Sequence, residues 1–454
     1  MIDLPLFHHQ VISTQGNNFY TDSLFFPQLL LMDKKDLKLL FSLPVVVAAL
    51  GYFVDIYDLL LFSIVRRPSL ISLGVPQDRL LIEGEFLLQA QMSGLLIGGI
   101  IWGVMGDKRG RLSVLFGSIL LYSLANIANG FAATVGQYAL LRFIAGIGLA
   151  GELGAGITLV SEILPTRIRG YATTLIASVG ITGAILANFV ARVFDWQVAY
   201  FIGGGLGLLL LLARISVFES GMFLKLKGSN VQRGNFFQLF QTRSTFVRYM
   251  GCILIGLPIW YVAGILVTFS PEFADAISVT GTILAGDAVM YCYMGLAIGD
   301  FSSGFISQKV GSRKKVVAAY LVLTLLTVIF FLYMPVRTQN FFYVVCFLLG
   351  IAIGYWALFV TIAAEQFGTN LRSTVATTVP NFIRGTVVPL TFMFKFLRDT
   401  ISEQYAGVHG PDKAQSMGII YGALIVGVFT IVVAFAALRA IDETFGRELN
   451  FEEK

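Results

Sequence analysis

Charge is what this chain has least of. Only 13% of its 454 residues are Asp, Glu, Lys or Arg, about half the share found in soluble domains, which excludes an ordinary water-soluble enzyme or binding module. Histidine and cysteine are equally sparse. His8, His9 and His409 are too few and too scattered for a metal site. Cys252, Cys292 and Cys346 each sit alone in an apolar run, so neither a disulfide framework nor a zinc cluster is indicated. The opening MIDLPLFHHQ lacks the basic stretch and small-residue cleavage site of a signal peptide, and reads as a soluble or interfacial extension. What is abundant is apolar surface: 56% hydrophobic residues, a mean hydropathy of +0.78 and 47 glycines. Glycine is more frequent in membrane helices, where it lets backbones approach closely.

Runs of about 20 apolar residues, the length that crosses a bilayer, occur near 41–64, 86–105, 113–132, 137–160, 172–192 and 198–217. After a polar segment containing KLKGSNVQRGNF they resume near 249–270, 286–306, 316–334, 341–363, 374–396 and 417–440. The expected architecture is an all-α integral membrane protein of 12 helices in two six-helix bundles. Its segments are an extension (1–39), a first bundle (40–217), a central loop (218–247), a second bundle (248–440) and a tail (441–454). With both termini cytoplasmic, 22 Lys and Arg fall on the cytoplasmic side against 8 on the other, and Arg142 and Arg384 remain inside runs. That asymmetry fits the positive-inside rule.

The halves repeat. In 94-GLLIGGIIWGVMGDKRGR-111 and 295-GLAIGDFSSGFISQKVGSR-313, Gly94, Gly98, Gly103 and Gly110 recur as Gly295, Gly299, Gly304 and Gly311 at one constant offset. Likewise 162-EILPTRIRG-170 pairs with 365-EQFGTNLRS-373, keeping Glu, Thr and Arg in register. Chance likeness among apolar helices does not preserve polar loop residues, and repeated halves are the mark of secondary transporters.

The loop Gly103-x-x-Gly106-Asp107-Lys108-Arg109-Gly110-Arg111 resembles the G-x-x-x-D-R-x-G-R-R signature of the major facilitator superfamily, with Lys108 in place of the usual Arg. The run 142-RFIAGIG-148 with Glu162, Pro165, Thr166, Arg169 and Gly170 is similar to the sugar-porter and metabolite:proton symporter branches. So are 214-RISVFESGMF-223, with Gly221 where proline is usual, and 442-DETFGREL-449. The resemblance spans about residues 45 to 450 and implies a cytoplasmic gate of Gly103, Asp107, Arg109, Gly110, Arg111, Glu162, Arg169 and Glu219, with Glu365, Arg372 and Glu443 in the second half. Single ion pairs near an interface are weak, yet their sum biases a balanced equilibrium between two access states.

Charges inside the apolar runs cost more and need partners or water. In 51-GYFVDIYDLLLF-62, Asp55 and Asp58 lie three residues apart on one helix face. Arg142 falls at comparable depth in the fourth run, so an Asp–Arg pair between the first and fourth helices is expected. The element resembles the D-x-Y-D of proton-coupled phosphate and metabolite symporters. That likeness implies a proton-carrying role for the aspartates, one of which is alternatively a structural partner for Arg142, and a substrate contact for Tyr57. Glu152, in 146-GIGLAGELGAGIT-158, has small neighbours and reads either as a third titrating group or as a neutral hydrogen-bond donor. In 380-PNFIRGTVVP-389, Asn381 and Arg384 share a face, and the guanidinium can hold a carboxylate bidentately or pair with Asp287 or Asp300. Trp260, Tyr261, Tyr355 and Trp356 are candidates for substrate contact, with interhelix packing as the alternative.

The expectation is a proton-coupled importer of a small polar metabolite, an organic acid or zwitterion. It works by alternating access as a monomer in a bacterial inner membrane, driven by the proton gradient without cofactor, metal or nucleic acid. Sugar, polyol or phosphate symport and proton-driven export are the competing transport readings. An intramembrane enzyme would need a nucleophile, base or metal constellation, and no H-E-x-x-H, G-x-S-x-G or nucleotide-phosphate loop occurs. A receptor would bring a long signalling tail, whereas about 14 residues follow the last run.

Overall fold

The computed structural model of the chain describes residues 33–109, 111–152, 164, 166–218, 236–368 and 371–446. A short helix, Lys34–Leu40, belongs to a separate unit that ends at Ser42. From Leu43 the elements are helices: α1 (Leu43–Ser72), α2 (Leu80–Arg109), α3 (Arg111–Asn129), α4 (Val135–Leu149), α5 (Thr166–Val193) and α6 (Trp196–Phe218). In the second half, α7 combines Arg243–Ile255, Leu257–Tyr261, a π-helical stretch Val262–Val267 and Ser270–Ala276. Then come α8 (Ala285–Val310), α9 (Arg313–Leu332), α10a (Gln339–Ala352), α10b (Trp356–Glu365), α11 (Arg372–Gly385 and Val387–His409) and α12 (Pro411–Ala440). Helix α7 thus begins inside the stretch read from sequence as the central loop. Among the described residues, eight helices are long and apolar enough to cross a membrane, and three more stretches are apolar but shorter.

The repeated glycines mark helix crossings. A Cβ built on Gly94 or Gly98 of α2 would lie 2.1 or 2.4 Å from the carbonyl oxygens of Phe143 and Ile147 on α4. Their counterparts on α8, Gly295 and Gly299, would meet Phe347 and Ile351 of α10a at 2.0 and 2.4 Å. The partner helices return the contact, through Gly146 onto Gln91 O at 2.2 Å and Gly350 onto Cys292 O at 1.9 Å. Only glycine fits where two backbones touch, the close approach that substitutes in a bilayer for hydrophobic association. The loop glycine of the repeat works differently. Gly311 takes a left-handed conformation (φ 65°) that ends α8, and Ser312 Oγ then caps α9 by accepting the Lys315 N–H.

Three helices are interrupted, each for a local reason. In α7, Pro258 lacks the N–H that would continue the ladder, so the first segment stops at Ile255 and a new one starts with the proline in its first turn. In α10, the break at Ile353–Gly354–Tyr355 lies where Gly354 meets the Gly299 backbone, 2.3 Å from a Cβ built on Gly354. In α11, Pro380 sits within the first segment and Pro389 just after the second begins. These breaks surround the site.

Candidate functional site

Tyr52, Ile56 and Leu59, one face of α1, line a cavity with Ile259, Trp260 and Ala263 of α7, Tyr293 and Leu296 of α8, Trp356 of α10b and Arg384 of α11. The space open to the centres of water molecules is about 20 Å³, room for a water or two. Arg384 is buried, with its guanidinium carbon 5.8 Å from the Trp260 ring and 5.9 Å from the Trp356 ring. The two indoles meet edge to face at 6.3 Å. Desolvated cation–π contacts of this kind are worth about 2 kcal/mol. Asp55 faces Arg384 across the seam between the halves, Oδ2 to Nη2 at 3.6 Å, both side chains at most 1% exposed. Among the described residues, both Asp55 oxygens, Arg384 Nε and Nη1, and Trp260 Nε1 have no hydrogen-bond partner.

The expected Asp–Arg contact of the first and fourth helices falls to Asp58 and not to Asp55, as an electrostatic interaction with Arg142. Consecutive residues turn by about 100°, so positions three apart diverge by about 60°. Asp55 points across the seam to α11, while Asp58 points into its own bundle, where a Cβ on Gly203 of α6 would lie 2.2 Å from its Oδ1. Arg142 acts on Asp58 electrostatically, but its hydrogen bond goes to Asn126 Oδ1 at 3.0 Å and its guanidinium lies over Tyr200. Glu152 has a partner that sequence reading missed. Arg214 donates to both its oxygens at 3.1 and 2.8 Å, and Ser118 adds a third bond. Gly51 leaves room for that guanidinium, since a Cβ there would meet Nη2 at 2.4 Å. The signal was ambiguous: Arg214 falls near the end of the run 198–217, where its charge counts equally well toward the cytoplasmic loop.

Four proposed substrate contacts are otherwise engaged. Tyr57 donates to Ala199 O, Tyr261 to Ala423 O and Tyr355 to Ile255 O, at 2.9, 2.6 and 3.0 Å. A buried phenol needs an acceptor, and these take backbone carbonyls of neighbouring helices away from the cavity. Asn381 donates to Ala150 O at 2.8 Å, stitching α11 to the end of α4. Trp260, Trp356 and Arg384 do line the cavity. Arg384 pairs with neither Asp287 nor Asp300, the former taking Arg192 and Asn188, the latter the Ala357 N–H.

Of the expected gate, Gly110, Glu162 and Glu219, and the side chains of Asp107, Arg109, Arg111, Arg169 and Arg372, lie outside the described residues. Gly103 sits on the seam, its Cβ position 3.5 Å from Thr378 of α11. Glu365 and Glu443 bond within the second half. Glu365 pairs with Arg313 at 3.2 Å and accepts from Thr444, while Glu443 accepts from Ser312 and the amides of Arg313 and Lys314. Partial burial alone would raise the Glu443 pKa, but the hydrogen bonds from Ser312 and the neighbouring amides win and hold it below the usual value.

At the opposite end, remote from Leu43 and Ala440, three ion pairs that the sequence did not disclose join the halves. Arg66 of α1 grips Glu272 of α7 through Nη2 at 2.7 and 2.8 Å. Glu85 of α2 holds Arg398 of α11 at 2.5 Å, and Arg192 of α5 meets Asp287 of α8. These pairs tie the two halves together at that end.

The comparisons with known proteins agree with this architecture. The chain is 26% identical over 339 residues to a protein of Cupriavidus pinatubonensis named as a probable 4-methylmuconolactone transporter, covering 71% of this chain and 76% of that one. It is 25% identical to the sialic acid transporter NanX of Escherichia coli, covering 59% and 65%. Among solved structures, the proton:xylose symporter XylE bound to 6-bromo-6-deoxy-D-glucose superposes with a TM-score of 0.64 over 91% of this chain and 98% of that one, at 16% identity. The family model described as the Major Facilitator Superfamily matches residues 81–385. With two repeated six-helix halves, a cavity on their seam and that match, the chain belongs to the Major Facilitator Superfamily and is a multi-pass membrane transporter, not an enzyme.

Proposed function

We propose that the protein imports a small organic acid together with protons, by alternating access. The observation that carries this reading is the buried Arg384, clasped by Trp260 and Trp356 at the cavity and facing Asp55 with donors unused by the protein. A guanidinium fork between aromatic faces suits a carboxylate, and suits best one on a flat ring. The relatives named for 4-methylmuconolactone and sialic acid, both carboxylic acids, support the same class.

The coupling follows from competition for one cation. When Asp55 is ionised it neutralises Arg384, and a substrate anion gains little by entering. Once Asp55 takes a proton, Arg384 is an uncompensated buried charge, a state that costs several kcal/mol and that a substrate carboxylate relieves. Either way the site holds one cation and one anion, so the halves can close over it without burying net charge. Release of the proton restores the Asp55–Arg384 pair and displaces the substrate. Asp58 beside Arg142 is a second proton carrier, and Glu152 is held by Arg214 within the first half. The distribution of Lys and Arg supports cytoplasmic termini in a bacterial inner membrane, and membership of the superfamily supports action as a monomer.

Uptake by proteoliposomes under an imposed pH gradient tests this, with aromatic and aliphatic acids, amino acids, sugars and phosphate offered in parallel. Acids should accumulate only with protons higher outside. Gradient-independent uptake, or accumulation of a sugar and no acid, would refute it.

A further inference from the structure

We infer that Asp300 is a positioning residue for the substrate cavity: its carboxylate holds the first turn of α10b and thereby sets the Trp356 indole against Arg384. The inference rests on the reading of that cavity as the substrate site. The break in α10 leaves the first amides of α10b without acceptors in their own helix. Tyr355, at the N-cap, offers them no side-chain hydrogen bond. The acceptor comes from another helix, for Asp300 Oδ1 of α8 receives the Ala357 N–H at 3.0 Å. It can reach because the Gly299 and Gly354 backbones touch, which carries the short side chain of residue 300 to the end of α10b.

The repeat sharpens the point. At the shared offset the first half has Gly99 where the second has Asp300, in 94-GLLIGG-99 against 295-GLAIGD-300. Gly99 packs on Asn381 at the seam, so this carboxylate is an addition to the second half and not part of the common helix crossing. The break is tied to its neighbour as well. Tyr355 donates to Ile255 O, the last residue before the interruption of α7. Just past the two breaks come Trp260 and Trp356, the indoles that clasp Arg384.

Asp300 acts electrostatically on two titratable groups, Tyr52 of α1, itself in the cavity wall, and Tyr320 of α9, whose hydroxyl contacts Gly299 O and Ser302. Among the described residues no basic side chain forms an ion pair with Asp300. Its charge is met by the amides and positive end of α10b.

The test uses protein carrying Trp102→Phe and Trp196→Phe, which leaves Trp260 and Trp356 as reporters. Asp300→Ala should alter the emission maximum and raise iodide quenching, and should weaken binding of benzoate, the probe acid, about five- to tenfold, as loss of one helix cap implies. Asp300→Asn keeps the acceptor oxygen and should match the parent in both measurements. Unchanged emission in Asp300→Ala would overturn the assignment. So would an Asp300→Asn as disturbed as the alanine variant, since charge and not capping would then be required. A parent that binds no acid counts against the organic-acid reading, while the fluorescence comparison still decides the role of Asp300.

Discussion

Replacing Glu272 with glutamine should open the end of the transporter remote from Leu43 and Ala440. Arg66 is fully buried, its guanidinium lies 4.6 Å from the Phe269 ring, and Glu272 is its one ion-pair partner among the described residues. Breaking a buried pair by removing one charge costs about 3–5 kcal/mol. Glu272 is 13% exposed and glutamine retains one acceptor, so about 2 kcal/mol is the reasonable figure here. The penalty falls almost entirely on the closed form, because separating α1 from α7 returns both groups to water. A 2 kcal/mol bias is about a 30-fold change in the ratio of open to closed forms. Ala263 lines the cavity, and the native thiols are buried, so an Ala263→Cys variant with those three replaced reports access. Its labelling by an impermeant thiol reagent, applied from that side, should accelerate about 30-fold in Glu272→Gln. Glu83→Gln is the control, since the Arg79–Glu83 pair sits at the same end but joins the turn before α2 to its first turn, within one half, and is 59% exposed at the arginine. Such pairs contribute about 0–1 kcal/mol. Equal labelling rates in the parent and Glu272→Gln would refute the idea that this pair holds the end shut.

Other expectations follow from the site and the crossings. Asp55→Asn should abolish accumulation driven by a pH gradient yet preserve counterflow, which needs no net proton movement; gradient-driven accumulation at the parent's level would exclude Asp55 as carrier. Arg384→Lys should weaken carboxylate binding at least about tenfold despite the retained charge, because the planar fork is lost, as calorimetry or competition uptake would read. Gly350→Ala places a methyl carbon 1.9 Å from Cys292 O and should reduce folded yield and detergent stability sharply, whereas Gly304→Ala, with open space around it, should be neutral. The lowered pKa of Glu443 means its anchor on the start of α9 is intact above the ordinary glutamate range and is lost as pH falls through the depressed value. Amide exchange at residues 313–315 should therefore speed up under acid, beyond its intrinsic pH dependence, and that extra change should vanish in Glu443→Gln.

The sequence disclosed the spans and the repeat because hydropathy and glycine spacing are local signals, set by bilayer thickness and by helix contact. It disclosed which charges were costly, but not their partners. Depth along a helix can be counted at about 1.5 Å per residue, and by that count Arg142 was as good a match for Asp55 as Arg384. Rotation about the helix axis decides between them, and it depends on packing among residues hundreds of positions apart. The same limit hid Glu272 from Arg66 and Arg398 from Glu85. The tyrosines failed for another reason: an aromatic hydroxyl in a membrane helix satisfies itself on the nearest free carbonyl, and composition cannot say whether that carbonyl lies at a cavity or behind it.

The glycine crossings bear on how such a protein can change over generations. Within each half, α2 against α4 and α8 against α10a are joined backbone to backbone, so almost any substitution there meets main-chain atoms that cannot move aside. Between the halves the joints are side chains: Arg66 with Glu272, Glu85 with Arg398, Arg192 with Asp287, and Asp55 with Arg384. Variation that survives should therefore collect on the seam, where exchanging one side chain alters the cavity or the balance of access states and leaves both bundles intact. A lineage built this way can acquire new substrates without first finding a new way to fold.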